Sequence, residues 1–259
     1  MPAVRASVLA SGSSGNCLYV EAGDTAILID SGPSMLSLRK RLAAIDRDLS
    51  RVRAVFVTHD HGDHVGSSVA LSRKLKIPLY ATAGTHSILR SIPDGLAHMV
   101  RADVPIEFGP FEVFPVCTPH DGLESVAYRV LHRESSRAIG LATDLGYASR
   151  QVVERLRGIH TLVVEHNHDE RMLSEGPYPY QLKRRILGAR GHLSNAQGAA
   201  LASHLSHSGL TRVVLAHLSE TNNTPALARE AYEKVNGAAR PGRELVVADQ
   251  HVPTPLFEV

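Results

Sequence analysis

"THDHGDH", residues 58–64, places three histidines and two aspartates in the six positions from His59 to His64. The residues ahead of it, Val52–Val57, form a β-branched apolar run that reads as a buried strand. The residues behind it, Val65–Lys76, carry a helical apolar pattern. His59 and His61 are two apart and point the same way on extended chain. Asp63 and His64 are adjacent and would point apart on a strand. Gly62 between the pairs lets the backbone turn sharply. The expected result is two neighbouring sites, one per pair. Imidazole and carboxylate together suit zinc, manganese or iron, and the lack of a cysteine ligand argues against a structural zinc. Burying four such groups without a cation to compensate them is costly.

Neither pair completes a coordination sphere, so distant residues must contribute. Several apolar runs end on a polar residue: Ala26–Asp30 at Asp30, Ile139–Asp144 at Asp144, Thr161–Glu165 at Glu165 and Val213–Ala216 just before His217. Strands running into a shared edge would deliver those side chains to one place, the usual location of sites in layered α/β folds. With Leu245–Asp249 as a further strand, Glu107–Pro115 and Ala127–His132 as antiparallel pieces, and helices at Met35–Ile45, Gln151–Arg157, Ala196–His207 and Pro225–Val235, the chain reads as α/β with mixed sheets. Ser194 and Gln197 spell a capping box for the Ala196 helix. No repeat or linker interrupts the 259 residues, so a single domain over 1–259 is expected.

Composition excludes some function classes. A net charge of +2 allows nucleic acid as a partner without implying it. No apolar run approaches the roughly 20 residues of a membrane span. The start lacks the pattern of a leader, and Cys17 and Cys117 form no CxxC pair. A cytoplasmic protein with no membrane association and no obligate protein partner is expected.

The motif THxHxDH followed by a helix, with His120 in TPHDG, Asp144 in ATDLG and His217 in LAHLSE following in that order, resembles the metallo-β-lactamase-fold hydrolases. The resemblance implies a four-layered αββα sandwich and two divalent metal ions per chain, Zn²⁺ or Mn²⁺. It implies that His59, His61 and His120 hold one metal, that Asp63, His64 and His217 hold the other, and that Asp144 bridges them. Asp30 matches an aspartate that braces the ligand loop. SGSSGN (11–16), EHNHDERML (165–173), GHLSNAQG (191–198) and LAHLSETNNTP (215–225) are similar to the YycJ/WalJ branch, which is linked to DNA exonuclease activity. The resemblance further implies a Glu–His pair at Glu165 and His192, with the histidine protonating the leaving oxygen. Asp144 departs from the β-lactamases that carry cysteine there. Only 72 residues separate Asp144 from His217, too few for the extra domain of the β-CASP nucleases.

The expected activity is a metal-dependent phosphodiesterase, a DNA exonuclease-like nuclease, with a metal-bridging hydroxide as nucleophile. Asp63, Glu165 and His192 are the expected catalytic groups. The alternative is a carbon-ester, lactone or amide hydrolase on the same two metals. Some segments keep two readings. SGSSGN is a tight turn or part of the site. Lys183, Arg184, Arg185 and Arg190 are a solvated helix face or phosphate contacts, with the N-terminus of the Ala196 helix as an additional anion site. His166 and His168 are hydrogen-bonded structural residues or substrate contacts.

Overall fold

The computed structural model describes residues 3–238 and 242–259. Residues 1 and 2, in the stretch read for a leader, and part of the 1–259 domain assignment therefore lie outside the described residues. Two seven-stranded mixed sheets face each other. The first runs in the order Phe257–Glu258 (β14), Val4–Ala10 (β1), Cys17–Ala22 (β2), Thr25–Ile29 (β3), Val52–Phe56 (β4), Leu79–Thr82 (β5) and Ala97–Val100 (β6). It is antiparallel from β14 to β3 and parallel from β3 to β6. The second runs Glu244–Val247 (β13), Arg212–Ala216 (β12), Thr161–Glu165 (β11), Ala138–Ala142 (β10), Val126–His132 (β9), Phe111–Cys117 (β8) and Ile106–Phe108 (β7). It is parallel from β13 to β10 and antiparallel from there to β7.

Three apolar layers hold these parts together, which makes the architecture αββα. Ile27, Ile29, Ala54 and Phe56 of the first sheet meet Tyr128, Ile139, Val163 and Val214 of the second between the sheets. The opposite faces are covered by helices. Leu38, Leu42 and Leu71 pack against Leu28 and Val55. Leu201, Ala202 and Tyr232 pack against Leu162, Val164 and Val213. Central strands buried on both faces must be apolar at every position, so their sequences are continuous runs rather than alternations.

The structure corrects three expectations. The helix read over Val65–Lys76 is two pieces, Gly62–Val65 and Ser68–Leu75, with Lys76 as a left-handed cap at φ 56°. The break arises because the chain presses on the 31–32 loop: a Cβ on Gly66 would lie 2.3 Å from the Gly32 carbonyl oxygen, and Ser67 N donates to Ser31 O. The piece read over Glu107–Pro115 is the hairpin β7–β8, turned at Gly109 with φ 52°. The turn at Gly62 is the start of a helix and uses no left-handed glycine backbone. Gly62 sits within that short helix with open space around it, and His61 precedes the helix as its N-cap residue. Asp63 and His64 thus leave a helical turn rather than a strand.

Candidate metal centre

The polar strand ends converge as their positions suggest. The carboxyl ends of β3 and β4 in one sheet, and of β10, β11 and β12 in the other, open onto one edge. There Asp30, Asp144 and His217 hold left-handed backbone, with φ of 61°, 62° and 57°. Non-glycine residues seldom adopt this conformation, and it persists only where surroundings enforce it. At His217 they do: its N–H donates to Ser11 Oγ at 2.7 Å, and its carbonyl accepts from Asn167 Nδ2 at 3.0 Å. At Asp30 the N–H donates to Phe56 O, and the carboxylate accepts from Thr58 N and Thr58 Oγ1.

Two sets of donor atoms result. His59 Nε2 lies 3.0 Å from His61 Nδ1, which lies 3.4 Å from His120 Nε2. Asp63 Oδ2 lies 3.3 Å from His64 Nε2 and 3.6 Å from His217 Nε2. Asp144 reaches both, with Oδ2 3.3 Å from His64 Nε2 and Oδ1 3.8 Å from His120 Nε2. Ligand atoms about 2.05 Å from a tetrahedral ion stand about 3.3 Å apart, so these spacings fit an ion in each set. Buried Asp144 Oδ2 and His217 Nε2 have no hydrogen-bond partner among the described residues, an expensive condition that a cation would relieve. Several clusters of His, Asp and Glu with metal-ligand spacing overlap here.

Electrostatics point the same way. Burial alone would lower the His217 pKa, but Asp144, Asp63 and Glu165 push it up to about 10. Burial also opposes the charge on His64, which Asp144, Asp30 and Asp63 nevertheless raise well above the ordinary histidine value. The carboxylate field that raises these two histidines is the field that a bound cation would feel. His59, among imidazoles rather than carboxylates, is shifted the other way by burial and by the neighbouring rings.

The nitrogens facing away from the cluster are mostly tied down. His64 Nδ1 meets Asp30 Oδ2 at 2.8 Å, His59 Nδ1 meets Thr58 Oγ1 at 3.0 Å, and His120 Nδ1 meets Gly191 O at 3.0 Å. His217 Nδ1 meets Glu165 Oε1 at 3.0 Å, and the same oxygen takes His192 Nδ1 at 2.8 Å. Glu165 Oε2 accepts from Leu145 N and Leu193 N. Glu165 is therefore completely buried, a hub that orients two imidazoles rather than a group facing an entering molecule. Side-chain exposure of 29% at His61, 22% at Asp63 and 19% at His192, against 3% or less at His120, Asp144 and His217, marks the open side.

Asn16 is a contributor that sequence reading left unassigned. Its side chain is pinned by Gly12 N and Gly12 O, and its Nδ2 donates to Asp63 Oδ2 at 3.0 Å. SGSSGN is therefore both a turn and a wall of the site. The density of glycine around an asparagine was its only signal. Gly122 is another: a Cβ there would lie 2.8 Å from His59 Cδ2, 2.7 Å from Ser125 Oγ and 2.9 Å from Asp60 Oδ1. Gly122→Ala is expected to displace the His59 ring, weakening zinc binding while costing about 1–3 kcal/mol of stability. Zinc titration and urea unfolding of the variant measure the two effects.

Other residues are placed away from these roles. His166 and His168 are buried, with His166 Nε2 and both His168 nitrogens unpartnered among the described residues. Both are buried side chains rather than part of an open surface, and His166 Nδ1 lies 3.4 Å from Val164 O. Burial lowers His166 to about 4, which suits a neutral interior ring. The capping box of the Asn195–His204 helix is present. Its Ser194 and Gln197 amides are taken by each other's side chains, and Asn195 N by His168 O, which occupies three of the amides that an anion would use.

The family model described as Beta-lactamase superfamily domain matches residues 25–218. The exodeoxyribonuclease YycJ of Bacillus anthracis is 34% identical over 233 residues, 88% of each chain. The exodeoxyribonuclease WalJ of Streptococcus pneumoniae is 32% identical over 228 residues, 86% of this chain and 84% of its own. Among solved structures, the metallo-β-lactamase fold protein YhfI of Bacillus subtilis superposes with a TM-score of 0.72 at 15% identity, covering 97% of this chain and 99% of its own. The human short-form tRNase Z gives 0.66 at 14%, covering 96% and 98%. These two show the shared fold. With its αββα sandwich and this edge of histidines and aspartates, the chain belongs to the β-lactamase superfamily, among the YycJ/WalJ-like proteins.

Proposed function

We propose that the chain is a cytoplasmic, dinuclear metal-dependent phosphodiesterase, a nuclease that acts on DNA as an exonuclease, working as one domain over residues 1–259. The observation that carries this reading is a pair of three-donor sets joined by Asp144, with His192 held beside them by Glu165. In this reading His59, His61 and His120 hold one ion, Asp63, His64 and His217 the other, and Asp144 both. Zinc and manganese suit these donors. The relatives named exodeoxyribonucleases support DNA as the substrate, and the free thiols of Cys17 and Cys117 suit a reducing compartment.

When bound, two divalent ions supply Lewis acidity to phosphoryl oxygens and a water acidic enough to attack near neutral pH. The chain supplies orientation and proton handling. Burial favours a neutral Asp63 carboxyl, but hydrogen bonds from His217 and His64 hold it well below the usual range. Asp63 thus remains an acceptor at the open side, steadied by Asn16. Glu165 fixes His192 through Nδ1, leaving Nε2 to carry a proton toward the leaving oxygen. The left-handed backbone at Asp144 and His217 holds both side chains at the edge before any substrate arrives, which lowers the cost of organising the site.

Hydrolysis assays on labelled DNA, RNA, a chromogenic phosphodiester, a lactone and a β-lactam, each with added Mn²⁺ or Zn²⁺, test the reading. DNA cleavage from an end is the expected outcome. Turnover of the lactone without any phosphodiester cleavage would replace it with the carbon-ester alternative.

The basic segment divides in two. Arg185 is engaged by Asp121, whereas Arg184 and Arg190 are exposed, Arg184 lying 5.9 Å from the Tyr180 ring centroid. Arg184→Ala with Arg190→Ala is expected to weaken DNA binding and flatten the slope of log affinity against log salt by about 0.7–0.9 per lost phosphate contact. Turnover of a small chromogenic phosphodiester should hardly change. An unaltered slope in a salt titration would assign both residues to a solvated face.

A further inference from the structure

We infer that Asp121, locked by Arg185, is the positioning residue for His61, and that this pair ties the basic segment to the first ion site. The inference rests on the two-ion reading above. A metal-binding imidazole needs a partner on its second nitrogen to fix its tautomer and orientation. His59, His64, His120 and His217 have theirs in Thr58, Asp30, Gly191 and Glu165. His61 is the most exposed of the five, so its ring has the least packing around it. Its Nδ1 faces the cluster, and its Nε2 faces Asp121 Oδ1 at 3.4 Å, an oxygen that also lies 3.5 Å from His120 Nε2 of the same set.

Asp121 is itself fixed by a two-pronged contact, with Arg185 Nε 2.6 Å from Oδ2 and Nη2 3.2 Å from Oδ1. A planar guanidinium holds a carboxylate in one orientation, which a lysine ammonium would not. Arg185 belongs to the helix Tyr180–Ile186. The chain then folds back so closely that a Cβ on Gly191 would lie 2.1 Å from Ile186 O. At that point Gly191 O takes His120 Nδ1, and His192 follows. One short segment thus braces two ligands of the first set and carries the imidazole beside it. Arg185 therefore serves the metal centre rather than the phosphate contacts read from its sequence neighbourhood.

Zinc competition against a chromogenic chelator, on the full chain, tests this with Asp121→Ala, Arg185→Gln and Arg185→Lys, and with Arg190→Gln as control. Asp121→Ala and Arg185→Gln should each weaken one of the two zinc ions by about 10–100-fold and leave the other unchanged. Arg185→Lys should fall between, and the control should match the wild type. The melting temperature of the metal-free variants should move little, because a half-exposed ion pair adds little stability. Unchanged zinc affinity in Asp121→Ala would overturn the inference. So would weakened binding in Asp121→Ala with none in Arg185→Gln, since Asp121 would then act without its lock. A wild type binding a single zinc, itself weakened by both changes, would sustain the positioning role and overturn the two-ion reading instead.

Discussion

Asp144→Ala is expected to strip both ions from the chain and to abolish turnover of every phosphodiester, large or small. Its carboxylate is within reach of both donor sets, at 3.3 Å from His64 Nε2 and 3.8 Å from His120 Nε2. Removing it leaves each set with its own three donors and no shared anion between two dications. Charge stabilisation by bound metal is worth several kcal/mol in such reactions, so the loss should be on the order of 10³-fold or more. Metal analysis of protein purified without chelator reads the stoichiometry directly, and melting with and without zinc reads it independently, because an ion bound only by the folded state raises the melting temperature. Two ions retained by Asp144→Ala, with normal activity, would remove Asp144 from the centre. At most one ion in the zinc-saturated wild type would remove the dinuclear reading.

His192→Ala is expected to separate leaving groups rather than metals. A sugar alkoxide needs a proton as the P–O bond breaks, while nitrophenolate departs without one. A positioned general acid contributes about 10²–10⁴-fold, so activity on DNA should fall by that factor and activity on bis-nitrophenyl phosphate far less. Both ions should remain, since His192 Nδ1 is directed to Glu165 at 2.8 Å and the residue completes neither three-donor set. Glu165→Gln should reproduce the substrate pattern and additionally loosen the second ion, because the same oxygen holds His217 at 3.0 Å. The double variant should be little worse than the worse single one, as expected of groups acting as a unit. Equal losses on both substrates would show that His192 serves something other than the leaving group. Loss of an ion would make it a ligand.

The mixed α/β class and the crowding at the site were both legible in the chain, and the order of layers followed from the family resemblance. Continuous apolar runs such as Thr161–Glu165, which matches β11, signal strands buried on both faces, and polar residues at their ends signal one functional edge. Those signals are local. They depend on the period of side chains along a strand and on the cost of burying imidazole and carboxylate without compensation, so a single sequence displays them. The break at Gly66 and Ser67 is different, because it is made by the 31–32 loop pressing from another part of the chain. No helical periodicity records that contact.

By itself the sequence determined the residue types gathered at the site, the α/β class with mixed sheets and the strands that deliver the ligands, because patterning and desolvation act over a few neighbouring residues, while the αββα order followed from the family resemblance. Only the tertiary structure decided which nitrogen of each imidazole faces the cluster, that Glu165 serves His217 and His192 together, and that Asn16 and Asp121 join the site. It also decided that Arg185, exposed like its neighbour Arg184, is bound to Asp121, 64 positions away. The physical reason is that a hydrogen-bond partner is chosen by geometry at about 3 Å, and folding brings residues to that distance from anywhere in the chain.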